Sequence, residues 1–440
     1  MTDKLMRPID RAAESEEMVW EPQGRWWVGK MNLREEVARD LILPAKVVVV
    51  DATLREGEEV PDTVLSEEQK LELAFAIFEA GFREFEVGYA GVIEEHFALV
   101  RRLRREGFQG TLASHTRIYG RPDEWRREID RNLEAGVQIL TMVGWASEVG
   151  TATTPWLPKP AVAERVAECV AYARAQGAVV TFGLADLVRT SVDQITACYR
   201  AAASAGANRV YVYDGVGAAR PDTVRFLTHF LREVTGAGPE IAVHVHDTFG
   251  LAQANAVAAL TSGASVVDAV PLGLGDGAGI TASEEIAPAM EVLYGVPTGI
   301  DLARLRSLCE RVAGAFRIPL PQTKAVVGPN LYTHQIDSHV AAILRGAWYS
   351  WEVARPEVLG HTRRLAFGHA KLRDGRSGAV AALLERMGVE ATDDQLREVI
   401  AALRAETQRR PSLDIEQAEA VVRGVLDKAG GQTGRLRGQR

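Results

Sequence analysis

The chain has 440 residues, 47% hydrophobic and 25% charged, and a formal net charge of −8. That length suits two or three domain equivalents, or one large barrel with an appendage, and the acidic balance argues against nucleic-acid binding through bulk electrostatics. No stretch has the uninterrupted apolar length of a membrane span and the N-terminus lacks a signal-peptide block. Cys169, Cys198 and Cys309 are too far apart for a zinc or redox spacing, so a reducing, cytoplasmic setting is expected.

Residues 1–45 read as a polar extension with a Trp-rich patch (Trp20, Trp26, Trp27) and a short helical pattern around Asn32–Leu41. The aromatic patch is expected to pack on the main body or on a partner subunit. From Val47 the texture changes. Val47–Val50 is a continuous β-branched run, as in a strand buried on both faces. Ser66-Glu67-Glu68 then has N-cap character and opens a helix that ends near Gly81. The pattern repeats. Further strands are predicted at 84–88, 111–115, 138–143, 178–183, 209–214, 241–246 and 265–271, with amphipathic helices between them. Helix-ending glycines stand before several strands, at Gly81, Gly136, Gly177, Gly206 and Gly263. Eight strands alternating with eight helices over residues 46–300 is the rhythm of a parallel (β/α)8 TIM barrel. A doubly wound sheet ranks below it, because no glycine-rich dinucleotide fingerprint follows the first strand.

In such a barrel the polar groups at strand exits share one mouth. They are Asp51, Arg55, Glu56 and Glu59 after strand one, Glu86 in strand two, and His115 in strand three. Thr181 and Asp186 flank the exit of strand five, and Asp214 ends strand six. Glu86 is a charge inside an apolar strand, which calls for a partner. Strand seven ends in His244-Val245-His246. Alternation puts both imidazoles on one face, which is half of a metal site. Taken alone, the pair reads equally well as two core or surface histidines.

Past residue 300 the alternation stops. A segment with His334, His339, Trp348, Tyr349 and Trp351 precedes helices predicted at about 374–388, 394–408 and 414–428. Residues 301–428 are therefore expected to form a smaller, mainly helical subdomain packing on the barrel or a partner subunit. Residues 429–440 read as a disordered tail.

The run Asp51-Ala-Thr53-Leu-Arg55-Glu56-Gly-Glu58, the eight-strand rhythm and His244-x-His246 together resemble the DRE-TIM metallolyases. That superfamily contains the isopropylmalate, citramalate and homocitrate synthases and hydroxymethylglutaryl-CoA lyase. The likeness covers roughly residues 46–360. It implies Glu56, His244 and His246 as ligands of a divalent metal (zinc, manganese or magnesium), and Arg55 as the donor to the oxygen that becomes negative. It implies an acyl-CoA, acetyl-CoA above all, and a 2-oxo acid as small-molecule substrates. The synthases also place a histidine after the barrel, supplied by the partner subunit. His339 resembles it, beside the alternative of a surface histidine on a helix, and Tyr349 lies near the place of the family's tyrosine. A homodimer is therefore expected. Glu59, Glu86, His115, Thr181 and Asp214 are the expected substrate contacts. A metal held by two imidazoles and a carboxylate keeps positions for the carbonyl and carboxylate oxygens of a 2-oxo acid.

The departures from the synthase pattern are specific. Glu59 stands where glutamine is usual, and Gly215 where a threonine follows the strand-six aspartate. Thr181, Gly183 and Ala185 replace the arginine, serine and glutamate of the homocitrate type, and Gly279-Ile280 replaces Gly-Asn. His244-Val-His246-Asp-Thr-Phe-Gly250 is closer to the lyase form. These changes remove donors for a carboxylate and point to a different acceptor. An acyl-CoA-dependent synthase is the leading expectation, a retro-Claisen or retro-aldol lyase the second, and a non-catalytic binding barrel the third. The region after the barrel is too short for a helical subdomain plus a feedback domain, so no amino-acid effector domain is expected.

Overall fold

The computed structural model describes residues 17–153, 159–368, 372 and 377–429. Residues 1–16 of the extension and 430–440 of the expected tail lie outside them. The chain divides into two compact units, Ala38–Leu320 and a second formed by residues up to Val37 together with Pro321 onward.

The first unit is a closed barrel. Its strands are β1 (Val48–Asp51), β2 (Glu84–Glu86), β3 (Thr111–Arg117), β4 (Ile139–Gly144), β5 (Val179–Leu184), β6 (Arg209–Asp214), β7 (Glu240–Val245) and β8 (Val266–Ala269). Each pairs in parallel with the next, and β8 returns to β1 with Val266 opposite Val48. The helices α1 (Glu67–Glu79), α2 (Glu94–Arg105), α3 (Pro122–Ala135), α4 (Lys159–Ala175), α5 (Val192–Ser204), α6 (Pro221–Thr235), α7 (Ala252–Leu260) and α8 (Ser283–Pro288) follow them in turn. The (β/α)8 architecture read from the sequence is the one observed.

Local chemistry explains the boundaries. The Ser66 hydroxyl accepts the Gln69 N–H, and the Gln69 side chain returns to the Ser66 N–H at 2.9 Å, a complete capping box at the start of α1. The eighth helix is predicted as one run over 282–293. Instead α8 ends at Pro288 and continues as a π-helical turn, Ala289–Leu293. Proline lacks the N–H that a regular helix needs at that point.

Inward residues fill the barrel in layers. Val50, Tyr211, Tyr213, Ala242 and Val266 form one buried cluster. At the strand starts, Arg209 spans Glu84 (2.8 Å) and Glu240 (3.1 Å). Strand starts and strand exits thus each carry a buried arginine network, and the one at the exits opens into a cavity. A further helix, α9 (Leu305–Phe316), belongs to this unit.

The second unit begins with a ribbon, Met18–Trp20 paired antiparallel with Trp27–Gly29. Helices α10 (Asp337–Leu344), α11 (Gly378–Arg386), α12 (Asp393–Arg409) and α13 (Ile415–Ala429) follow, as the sequence pattern predicts for the last three. A small sheet joins Thr333–His334, Arg364–Gly368 and Ser412–Asp414. Strands of two to five residues are too short to register as a periodicity. Trp20 and Trp27 pack on this unit's own core. Trp20 meets Trp348 edge-on at 5.6 Å, and the Trp27 indole N–H donates to the Glu352 carbonyl at 2.7 Å. No helix among the described residues is long and apolar enough to cross a membrane.

Candidate active site

The loop after β1 is built by its own polar groups. The Asp51 carboxylate accepts the Thr53 N–H (3.0 Å) and hydroxyl (2.9 Å). Full burial pushes this carboxyl up to about 7. The N–H groups of Arg55 and Glu56 then both donate to the Ala52 carbonyl, at 3.0 and 2.8 Å. The turn aims both side chains into the barrel, where each is buried.

Arg55 is held in place from one side. Its Nε and Nη2 donate to Glu86 Oε2 at 2.9 and 2.8 Å, its Nη1 donates to Glu56, and His115 Nε2 bonds Glu86 Oε1 at 3.0 Å. Burial opposes ionisation of Glu86 and Glu56, but the Arg55 charge beside them outweighs it and keeps both well below the usual carboxylate range. A guanidinium with two carboxylates is a network that stays charged.

Strand register brings the other half. His244 and His246 face inward by alternation, and β7 pairs with β8 through Ala242 and Val266. Two residues further along, Asp268 therefore lies beside His244. Its Oδ2 is 3.0 Å from His244 Nδ1, and its Oδ1 accepts the Tyr211 hydroxyl at 2.8 Å. A carboxylate on Nδ1 fixes the tautomer and turns the Nε2 lone pair toward the barrel mouth. His244 Nε2 is 3.3 Å from His246 Nε2 and 3.4 Å from Glu56 Oε1. Burial would lower His244, but Asp268 and Glu56 together raise it to about 9; burial and the neighbouring His244 push His246 down.

The geometry of these three groups fits a divalent cation. Their donor atoms all lie within 4.8 Å of one another, the only such group among the described residues. Tetrahedral ligands at about 2.0–2.1 Å from a metal sit roughly 3.3 Å apart, close to the 3.3 and 3.4 Å that separate His244 Nε2 from its two partners. Glu56 Oε2 is buried without a hydrogen-bond partner among the described residues, so a ligand atom remains to be satisfied. The glycine loop after β8 closes the wall beside His246. Gly279 adopts φ +82°, and a Cβ there would lie 1.8 Å from the Gly273 carbonyl oxygen, so only glycine serves. Its carbonyl accepts the Asp247 N–H at 2.9 Å.

The trio opens on a cavity of about 910 Å³. Arg55, Glu59, His115, Tyr89, Tyr213, Trp145, Asp186 and Asp276 also line it. Glu86 stands behind Arg55 and His115 rather than on the cavity wall. Thr181 is buried within β5, its hydroxyl without a partner among the described residues. Both Asp214 oxygens are taken by the N–H groups of Ala218 (2.9 Å) and Ala219 (2.7 Å), closing the loop after β6. His339 and Tyr349 belong to the second unit. His339 stacks on Trp351 with centroids 3.6 Å apart, and Tyr349 meets Trp20 edge-on at 5.9 Å.

Sequence reasoning missed Asp268, Tyr213, Tyr89 and Trp145. The signal for Asp268 was present: a lone charge in the apolar strand Val266-Val267-Asp268-Ala269, the same anomaly that singled out Glu86. Tyr213 carries no such signal, since a tyrosine in a buried strand reads as core.

Residues 46–312 match the HMGL-like family model. The chain belongs to the HMGL-like family. Residues 326–411 of this HMGL-like protein match a second model, the homocitrate synthase post-HMGL domain-like. The DRE-TIM likeness read from Arg55-Glu56 and His244-x-His246 agrees with both. A homocitrate synthase of Methanopyrus kandleri is 34% identical over 90% of this chain and 96% of its own length. A putative (R)-citramalate synthase of the same organism is 33% identical, over 89% of this chain and 75% of that protein. A probable 2-isopropylmalate synthase of Ignicoccus hospitalis is 30% identical, over 83% and 94%. Among solved structures, a hydroxymethylglutaryl-CoA lyase from Pseudomonas aeruginosa shares the barrel fold with TM-score 0.53 and 22% identity, over 62% of this chain and 93% of that one.

Proposed function

We propose that this HMGL-like protein condenses an acyl-CoA, acetyl-CoA first, with a 2-oxo acid in a metal-dependent Claisen-type reaction, and that the thioester is then hydrolysed. The names of its relatives support the acyl-CoA-dependent synthase class. The observation that carries the reading is the trio Glu56, His244 and His246 set beside Arg55 at one end of a large cavity. A divalent cation held there supplies Lewis-acid polarisation of a chelating carbonyl. Arg55, immobilised by Glu86, presents fixed donors to the oxygen that gains negative charge. A base removes a proton from the acyl methyl, the carbanion attacks the carbonyl carbon, and water releases CoA as the free thiol. His339 is our candidate for that base and Tyr349 for the tyrosine that assists it, both contributed by a second copy of the chain.

The acceptor pocket supports a 2-oxo acid whose distal group is uncharged. Among the described residues, the guanidinium groups on the cavity wall are those of Arg55 and Arg117. Arg117 is tied to Glu128, through its backbone N–H at 2.8 Å and its side-chain Nε at 3.0 Å. An ideal Cβ on Gly183 would fall 2.3 Å from Tyr213 Cδ2, so the tyrosine ring occupies the space over β5. A second carboxylate would meet aromatic surface and acidic groups there, with Arg117, already paired to Glu128, as the remaining guanidinium beside Arg55.

The test is release of free thiol from acetyl-CoA with a panel of 2-oxo acids. Turnover is expected with pyruvate-like, branched or aromatic acceptors ahead of 2-oxoglutarate. A preference for 2-oxoglutarate would overturn the pocket reading alone. The lyase-like His244–Gly250 form motivates the second reading, favoured by cleavage of a hydroxyacyl-CoA with no thiol release from acetyl-CoA and any acceptor.

A further inference from the structure

We propose that Glu352 and His334 act as positioning residues that fix His339 as the tautomer with a proton on Nδ1 and a free lone pair on Nε2. The inference rests on the reading of His339 as the base and says how the second unit prepares it.

Glu352 is a buried carboxylate. Arg363 grips both its oxygens, Nε to Oε1 at 2.7 Å and Nη2 to Oε2 at 2.6 Å. Burial would raise this carboxyl, but Arg363 and His334 hold it below the usual range. An ionised carboxylate only accepts. His334 Nε2, 3.1 Å from Oε1, must therefore be the donor. A neutral imidazole with its proton on Nε2 has a lone pair on Nδ1. That Nδ1 faces His339 Nδ1 at 3.4 Å. Two nitrogens share one proton in such a contact, and with His334 neutral it comes from His339. The remaining nitrogen of His339, Nε2, is then unprotonated and basic.

The rest of the surroundings hold this arrangement still. His334 sits on the short strand paired with Arg364–Gly368. His339 is in the first turn of α10, and the Asp337 carboxylate of that turn accepts the N–H groups of Gly378 (2.9 Å) and Ala379 (3.2 Å) at the start of α11. Trp351 stacks on the His339 ring with an interplanar angle of 18°. The ring is thus set in position, plane and tautomer. When Nε2 takes a proton, the positive charge faces an anion through one intervening imidazole. A carboxylate directly on a catalytic histidine performs the same service in hydrolases; here a second imidazole lies between.

The test uses the full chain with 15N-labelled histidine. Long-range 1H–15N spectra near neutral pH report which ring nitrogen of His339 carries the proton, with the signal assigned by its loss in His339→Gln. The wild type is expected to show Nδ1–H and a bare Nε2. His334→Phe should lose this tautomer and lower kcat about 10–100-fold, the usual effect of removing an orienting partner, with the acceptor KM unchanged. His334→Gln should keep it, because the amide oxygen accepts from His339 while its N–H donates to Glu352, and should retain most of the turnover. A wild-type His339 protonated on Nε2, or a tautomer unaffected by His334→Phe, would overturn the relay. Unchanged kcat in His339→Gln would instead overturn the base assignment and with it the catalytic meaning of the relay.

Discussion

Asp268→Asn probes how the candidate metal centre is held. Asp268 lies outside the donor trio, yet its Oδ2 is 3.0 Å from His244 Nδ1 and its Oδ1 accepts the Tyr211 hydroxyl at 2.8 Å. The carboxylate offers an acceptor to both partners. An amide offers one acceptor and one donor, so either Tyr211 or His244 meets an N–H. If His244 does, its proton moves to Nε2, the atom needed as ligand. Loss of an orienting partner of this kind typically costs 10–100-fold in metal affinity, or about 1.4–2.7 kcal/mol. Competition of the apoprotein with a chromogenic chelator for zinc would measure it. Tyr211→Phe, which leaves the His244 contact in place, should change the affinity by less than about threefold, while His244→Ala should abolish stoichiometric binding. An affinity within twofold of wild type in Asp268→Ala, which removes the acceptor outright, or full occupancy in His244→Ala, would refute the assignment of His244 as a ligand held by Asp268.

Other expectations follow from the packing. Asp51 has its folded-state carboxyl raised by burial from 3.8 to about 7. The native chain therefore binds the extra proton, and its stabilising effect is present below about pH 4 and lost as pH rises through about 7. That is up to about 4 kcal/mol for this group. Asp51→Asn should flatten the fall in unfolding free energy between pH 4 and 7 in denaturant titrations; an unchanged slope would contradict the burial argument. Gly183→Ser should destabilise by about 1–3 kcal/mol through overpacking against Tyr213. The cost should fall in a Tyr213→Ala background, with a remainder from Tyr211 Cβ, 2.9 Å from the same position, and an equal cost in both would show that Gly183 and Tyr213 are uncoupled. Arg209→Met leaves Glu84 and Glu240 without their partner at the strand starts. It should cost about 3 kcal/mol in stability while kcat per folded molecule stays at the wild-type value; a large loss of kcat would show that this network reaches the mouth.

The barrel was legible because each strand and helix carries its own local signal. Valine runs, the Ser66 cap and the helix-ending glycines all agree on the same alternation. The trio was legible because His244 and His246 share a face and Arg55-Glu56 sits at the exit of β1. What stayed hidden depends on register between distant strands. Asp268 becomes a partner of His244 only once β7 and β8 are aligned, and Tyr213 becomes a cavity wall only because Gly183 on the next strand leaves room for its ring. The His334–His339 contact was invisible for a related reason. Five residues of separation at a strand-to-helix turn do not tell which ring atoms meet. The small sheet of the second unit escaped because its strands are too short for periodicity to show.

The central claim is that a metal held by Glu56, His244 and His246 activates a 2-oxo acid for attack by an acyl-CoA. It is tested most directly by following CoA thiol release from acetyl-CoA and the best 2-oxo acid of the panel, before chelation, after it, and after reloading with zinc, manganese or magnesium. The account predicts release that falls to background on chelation and returns with at least one of the three ions. Release that persists at its full rate in the metal-free protein would contradict it.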